Sequence, residues 1–117
     1  MRILLGEIES VWKNYIRELA YENGQVQIVG EVQNHLEILM RVRDENADVV
    51  VLSQTPQGDE PGICSHLLLE YPNVLLVLVP TEGGPDILWR MRLRKEARQA
   101  SRDVLLSMLQ NRDDPVL

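Results

Sequence analysis

Four short stretches of the chain, residues 3–5, 26–29, 49–52 and 74–79, are unbroken or nearly unbroken in apolar residues, rich in valine and isoleucine, and bounded by turn or cap residues. Such runs predict strands. A strand that does not alternate has no polar face, so these runs predict a parallel sheet covered by helices on both sides. Between them the apolar spacing changes to a helical period. Ser10 is placed to cap a first helix whose Val11, Tyr15 and Leu19, with Trp12 and Ile16, form its stripe, and Asn23-Gly24 supplies left-handed residues to end it. Asn34 and Glu37 make a capping-box-like start to a second helix with Leu36, Leu39, Met40 and Val42 as its buried stripe and Asn46 at its end. After a Pro/Gly/acid loop over residues 55–62, residues 63–70 form a short apolar helix closed by Tyr71-Pro72-Asn73. This alternation of strand and helix predicts right-handed crossovers and a doubly wound sheet, with any site at the carboxyl ends of the strands.

Residues 80–86 are turn-rich and lack helical periodicity, and they run into residues 87–94, where Trp89, Met91 and Leu93 alternate with Arg90, Arg92 and Arg94. Period-2 alternation predicts a fifth strand with the arginines facing solvent and no full helix before it. Ser101 then caps a last helix, with Asp103 in its first turn and Val104, Leu105, Met108 and Leu109 buried. The expectation is one domain over residues 1–110 and a flexible tail over 111–117.

Composition narrows the function. The chain has 117 residues, 44% apolar and 26% charged, which fits a single globular domain. Its longest apolar run is too short to span a bilayer and no secretory h-region precedes Gly6, so a cytoplasmic protein without membrane partners is expected. One cysteine and two histidines offer neither a disulfide nor a zinc site, and no nucleophile, base and orienting group can be assembled from Cys64, His35 and His66. The first strand–helix loop, Gly6-Glu7-Ile8-Glu9-Ser10, is no phosphate cradle, which argues against a nucleotide or flavin cofactor. Net charge is −6, divided as −9 over residues 1–86 and +3 over residues 87–117. The acidic bulk disfavours nucleic acid as the main partner. The basic strip Arg90, Arg92, Arg94, Lys95, Arg98 and Arg102 is the expected protein-binding face; a rim of Glu7, Glu9, Glu31, Asp59, Glu60 and Glu82 reads first as solvated.

The segments Arg2-Ile3-Leu4-Leu5-Gly6-Glu7, Val26-Gln27-Ile28-Val29-Gly30-Glu31-Val32, Ala47-Asp48-Val49-Val50-Val51-Leu52-Ser53 and Tyr71-Pro72-Asn73-Val74 resemble a response-regulator receiver domain, nearest to the receivers of LuxR-type regulators. The resemblance covers residues 1–79 and the last helix. It implies a flavodoxin-like, receiver-like α/β fold with a five-stranded parallel sheet in the order 2-1-3-4-5, the helix between strands 4 and 5 missing or reduced. It also implies a chemistry: two acids after the first strand for Mg²⁺, an aspartate ending the third strand to take the phosphoryl group, a Thr or Ser ending the fourth and a lysine after the fifth. Those positions fall here on Glu7 and Ile8, on Ser53, on Pro80, and on Lys95 or Arg98. An aliphatic side chain cannot ligate a hard cation, an alcohol cannot form an acyl phosphate, and proline carries neither hydroxyl nor N–H. The resemblance therefore implies a degenerate pseudo-receiver that is not an enzyme. The expected function is a stand-alone, phosphorylation-independent protein-interaction module in bacterial signalling or transcriptional regulation, able to form a homodimer through the fifth strand and last helix. The alternatives are residual metal-dependent switching and weak nucleic-acid binding through the arginine strip.

Overall fold

The computed structural model describes residues 1–92 and 95–110, with the side chains of Lys95 and Glu96 outside that description. In chain order the elements are β1 (Arg2–Leu5), α1 (Ser10–Glu22), β2 (Gln27–Glu31), α2 (His35–Asp44), β3 (Val49–Ser53), α3 (Ile63–Glu70), β4 (Leu75–Val79), β5 (Ile87–Met91), β6 (Lys95–Gln99) and α4 (Arg102–Gln110). The sheet has six strands in the order β2-β1-β3-β4-β5-β6. β2, β1, β3 and β4 are parallel, whereas β5 is antiparallel to β4 and β6 to β5. The expected five-stranded parallel sheet is therefore corrected to a six-stranded mixed one. The cause is connection length: only residues 80–86 separate β4 from β5, and a parallel crossover takes a dozen or more. Without a helix the chain can only turn back beside the strand it has left.

The unbroken apolar runs fill two cores, one on each face of the sheet. Ile3, Leu5, Val49, Val51, Leu75, Val77 and Val79 pack on one face with Trp12, Ile16 and Leu19 of α1 and Leu105, Met108 and Leu109 of α4. Leu4, Val50, Leu52, Leu76 and Leu78 point the other way, onto Ile38 and Val42 of α2 and Ile63, Cys64 and Leu67 of α3. Alternate residues of each strand thus serve opposite cores, which is why no polar residue interrupts them.

Three local expectations are corrected. Ser10 is already helical: Glu9 is the N-cap of α1 and makes no side-chain cap bond. Asn23 ends α1 in an extended conformation, with φ −127°, rather than a left-handed one, its N–H donating to Leu19 O at 2.9 Å. In α2 the buried residues are Ile38 and Val42, half a turn from the exposed Leu36 and Met40 (67% and 48% accessible). Asn34 does cap α2, its Oδ1 accepting from the Leu36 and Glu37 amides at 2.9 and 3.2 Å, and Asn46 follows it with φ 50°. Asn34→Ala is expected to lower stability by about 1 kcal/mol, and Ser10→Ala to leave it nearly unchanged; urea melts of both variants check the contrast.

The arginine row is also corrected. Leu88 is fully buried in the α1/α4 core, while Trp89 and Met91 belong to the opposite one. Arg90 is in register with Val77 on β4, on the same face as Leu88, and is only 6% accessible. The expectation of an outward arginine face assumed that one side of this strand meets water; α4 packs against β5 on that side. Leu93, Arg94 and the tail over residues 111–117 lie outside the described residues. Among the described residues no helix is long and apolar enough to cross a membrane.

Candidate functional site

The carboxyl ends of β1 and β3 lie where the chain order reverses, with β2 to one side of β1 and β3 to the other, the usual place for a site in a sheet of this kind. Gly6 brings the two ends together. Its N–H donates to Val51 O at 2.8 Å, and a Cβ there would stand 2.7 Å from Leu52 Cδ2, so a side chain would have to displace that buried methyl group. The next two residues diverge. Glu7 is exposed, while Ile8 is 7% accessible and packs in the α1/α4 core. Ser53 ends β3 as expected, and its Oγ donates to Glu7 O at 2.9 Å. Pro80 is buried directly after β4. Of the acidic pair and the acceptor that receiver chemistry requires, this edge holds one carboxylate and a hydroxyl bonded to backbone.

A cleft of about 140 Å³ opens beside them, lined in part by Glu7, Gln33, His35, Ser53, Gln54 and Thr55. His35, expected on a helix surface, is the exposed first residue of α2 and also borders this cleft. Gln54 had no signal at all in the sequence, yet it is 3% accessible and joins three strands. Its Nε2 donates to Leu78 O of β4 at 3.1 Å and to Ile87 O of β5 at 2.5 Å. Two carbonyls demand the NH₂ on that side, so the amide orientation is fixed by its partners.

The acidic residues do not converge into a cation site. Glu31, at the end of β2, is bound by α1: Arg17 Nη2 lies 3.0 Å from each carboxylate oxygen and Lys13 Nζ is 3.4 Å from one. Among the described residues no three His, Cys, Asp or Glu side chains are placed to hold a metal ion. The Arg17 hydrogen bond holds the Glu31 carboxyl below the ordinary glutamate range, with Lys13 acting in the same direction and slight desolvation against it. The contribution of this pair to stability is present above the unfolded glutamate pKa of about 4.3 and is lost as pH falls through the lowered folded value. A carboxyl-detected NMR titration is expected to show Glu31 titrating below the ordinary range in the wild type and returning toward it in Arg17→Gln, with the difference shrinking at high salt.

The basic strip is not assembled as one exposed row. Arg90 is buried, Arg92 is half-buried just after β5, and Arg98 is exposed on β6 opposite Leu88. Arg102, the first residue of α4, donates to Glu18 of α1 at 3.4 Å. Arg94 and the Lys95 side chain lie outside the described residues.

A larger groove, of about 380 Å³, lies on the α2/α3 side of the sheet, where a helix joining β4 to β5 would have passed. Leu78, Trp89 and Met91 line it together with Gly58, Asp59 and Glu60 of the loop before α3. Leu78 and Met91 are buried at 1% and 2% accessibility, whereas Trp89 is half-buried and Asp59 exposed. Gly58 permits a close approach of this loop to the β4–β5 connection. It has φ +85°, and a Cβ would stand 2.7 Å from Pro85 Cγ of the β4–β5 connection. The sequence signalled the missing helix but not this consequence of it. No protein-family model matches the chain, and no curated protein and no solved structure matches it significantly.

Proposed function

We propose that this chain is a receiver-like domain without phosphotransfer chemistry, acting as a protein-interaction module in bacterial signal transduction or transcriptional regulation. The bacterial setting and the receiver-like scaffold rest on the resemblance of residues 1–79. The observation that carries the reading is the disposition of Glu7, Ile8 and Ser53. The second acidic position is an isoleucine turned into the core, and the acceptor position is a hydroxyl donating to Glu7 O. A single exposed carboxylate binds Mg²⁺ weakly, since magnesium demands a nearly complete octahedron of oxygens. With no acyl phosphate to form, any signal must pass through what the domain binds.

Two measurements test this. Amide NMR spectra of the protein with Mg²⁺ and beryllofluoride are expected to match those without; shifts at residues 6–8 and 53–55 would establish residual switching and overturn the reading. The tagged protein, used as bait in a lysate of its source, is expected to retain a stoichiometric protein partner after nuclease treatment, with no dependence on acetyl phosphate. Retention of nucleic acid alone, or of nothing, would also overturn it. Homodimerisation through the β5–β6 end of the sheet and α4 belongs to the same proposal, and a monomeric mass by light scattering at high concentration would remove it.

A further inference from the structure

We infer that the free edge of β6 pairs antiparallel with β6 of a second copy about a two-fold axis through Ala97, joining the two six-stranded sheets into one. This rests on the homodimer of the proposed reading and gives it a strand, a register and a symmetry. β6 pairs with β5 alone and ends the sheet. Its pairing runs from Met91↔Lys95 to Ile87↔Gln99 without a shift in register. In an antiparallel ladder only alternate residues exchange backbone bonds with a given neighbour, and two observations fix which residues these are. Ala100, one step beyond Gln99, donates its N–H to Asp86 O at 3.0 Å, whereas Ile87 O, opposite Gln99, is turned away from β6 and accepts from Gln54. Residues 96, 98 and 100 therefore bond inward to β5, and residues 95, 97 and 99 present N–H and C=O groups to the open edge. Ala97, Arg98 and Gln99 are all exposed.

The opposite edge of the sheet is less fit for pairing. β2 shifts register against β1 between Ile3 and Leu4, and Arg41 of α2 donates to Val29 O at 3.1 Å; a bulge and a covering side chain both blunt a sheet edge. Charge decides what pairs with β6. Its order is Lys-Glu-Ala-Arg-Gln, and charges on an edge ordinarily keep other strands away. This order, however, complements itself when read backwards. About an axis through Ala97, Glu96 stands opposite Arg98 of the second copy, and the two-fold repeats the pair on the other side of the axis. Lys95, Ala97 and Gln99 then exchange ladder bonds with Gln99, Ala97 and Lys95 of the second copy, while the charge pairs fall at the non-bonded positions, where strands approach most closely. Moving the axis to residue 96 or 98 keeps the bonding phase but sets Glu96 against Glu96 or Arg98 against Arg98. One register is thus favoured and its neighbours are penalised. A contact of five residues a side is small, so the association is weak and rises with concentration.

Sedimentation velocity of the full chain is expected to show a mass rising with concentration from that of one chain, 13.4 kDa, toward that of two. Over the same range amide exchange at Ala97 and Gln99 is expected to slow, and that at Arg98, already bonded to β5, to stay unchanged. Glu96→Arg and Arg98→Glu are each expected to weaken association by about tenfold, because each turns two attractive pairs into two repulsive ones. An equimolar mixture of these two variants is expected to associate as the wild type does, since each supplies the charges the other then faces. Ala97→Pro removes an N–H that β5 does not use, and is expected to keep the amide dispersion of the fold and lose association. Variants that stay apart when mixed would overturn the inference. A dimer that withstands all three substitutions would also overturn it, leaving a homodimer through another surface. The mass of a single chain at every concentration would remove the homodimer and the inference with it, while the module reading would still stand or fall on the lysate experiment.

Discussion

Arg90→Glu is expected to lower the unfolding free energy by about 3 kcal/mol or more, whereas Arg98→Glu, at an exposed position on β6, is expected to change it by less than about 0.5 kcal/mol. Both substitutions reverse one charge within the same basic stretch, so a surface strip would respond to them alike. The difference comes from placement. Arg90 is 6% accessible and shares a sheet face with Leu88 beside α4. Its stem occupies space beside that core, and its Nε is buried as well. A glutamate has a shorter stem and the opposite charge, so it leaves a void and places a carboxylate where a cation was accommodated. Arg90→Met keeps the stem, and its cost is expected to be well below that of glutamate. Urea melts of the three variants check the order, and a melt of Arg90→Glu indistinguishable from wild type would mean that the side chain lies in solvent.

The same residue shows where a linear reading of the chain stops. Strands β1, β3 and β4 are legible because a continuous apolar run has one explanation, burial on both faces, and that explanation depends only on the run itself. The cap at Asn34 is legible for the same reason: acceptor and amides are neighbours in sequence. Alternation in residues 87–94 is different. It says that successive side chains face opposite ways, but which side is wet depends on elements elsewhere in the chain. Here α4, following β6, returns to cover the side that holds Arg90, and β6 itself had no apolar pattern to announce it, being Lys-Glu-Ala-Arg-Gln. The phase of α2 was lost likewise, because Leu36 and Met40 are as apolar as the Ile38 and Val42 that the sheet selects. Glu7, Ile8 and Ser53, the positions that receiver chemistry would use if the resemblance holds, are readable residue by residue. The groove at Trp89 is not, since it exists only because β5 turned back.

Gln54→Ala is expected to cost about 2–4 kcal/mol, since it withdraws a donor from each of two carbonyls, and an unsatisfied buried polar group costs about 1–3 kcal/mol. Those carbonyls, Leu78 O and Ile87 O, lie on β4 and β5, the two strands between which the sheet changes from parallel to antiparallel pairing. The amide therefore acts as a clasp at the point where the topology changes. Gln54→Met, of similar volume, is expected to recover the packing part of the loss and none of the hydrogen bonds. Gln54→Glu separates the two contributions further. At neutral pH its carboxylate has no proton to donate and sets negative oxygens against two carbonyl oxygens, so it is expected to be the least stable of the three. Both burial and those neighbours favour the neutral acid, which raises its folded-state pKa above the unfolded value near 4.3. Protonation restores one donor. The stability of Gln54→Glu relative to Gln54→Met is thus expected to be greatest below the unfolded pKa and to fall as pH rises through the folded one. Urea melts from acidic to neutral pH measure that difference, and a flat difference would mean that residue 54 does not bridge these strands. Loss of the clasp also loosens β5, which is held to β4 at this end through Gln54. In Gln54→Met, hydrogen exchange at residues 87–89 is expected to accelerate more than at residues 49–52, which stay paired in the parallel part of the sheet.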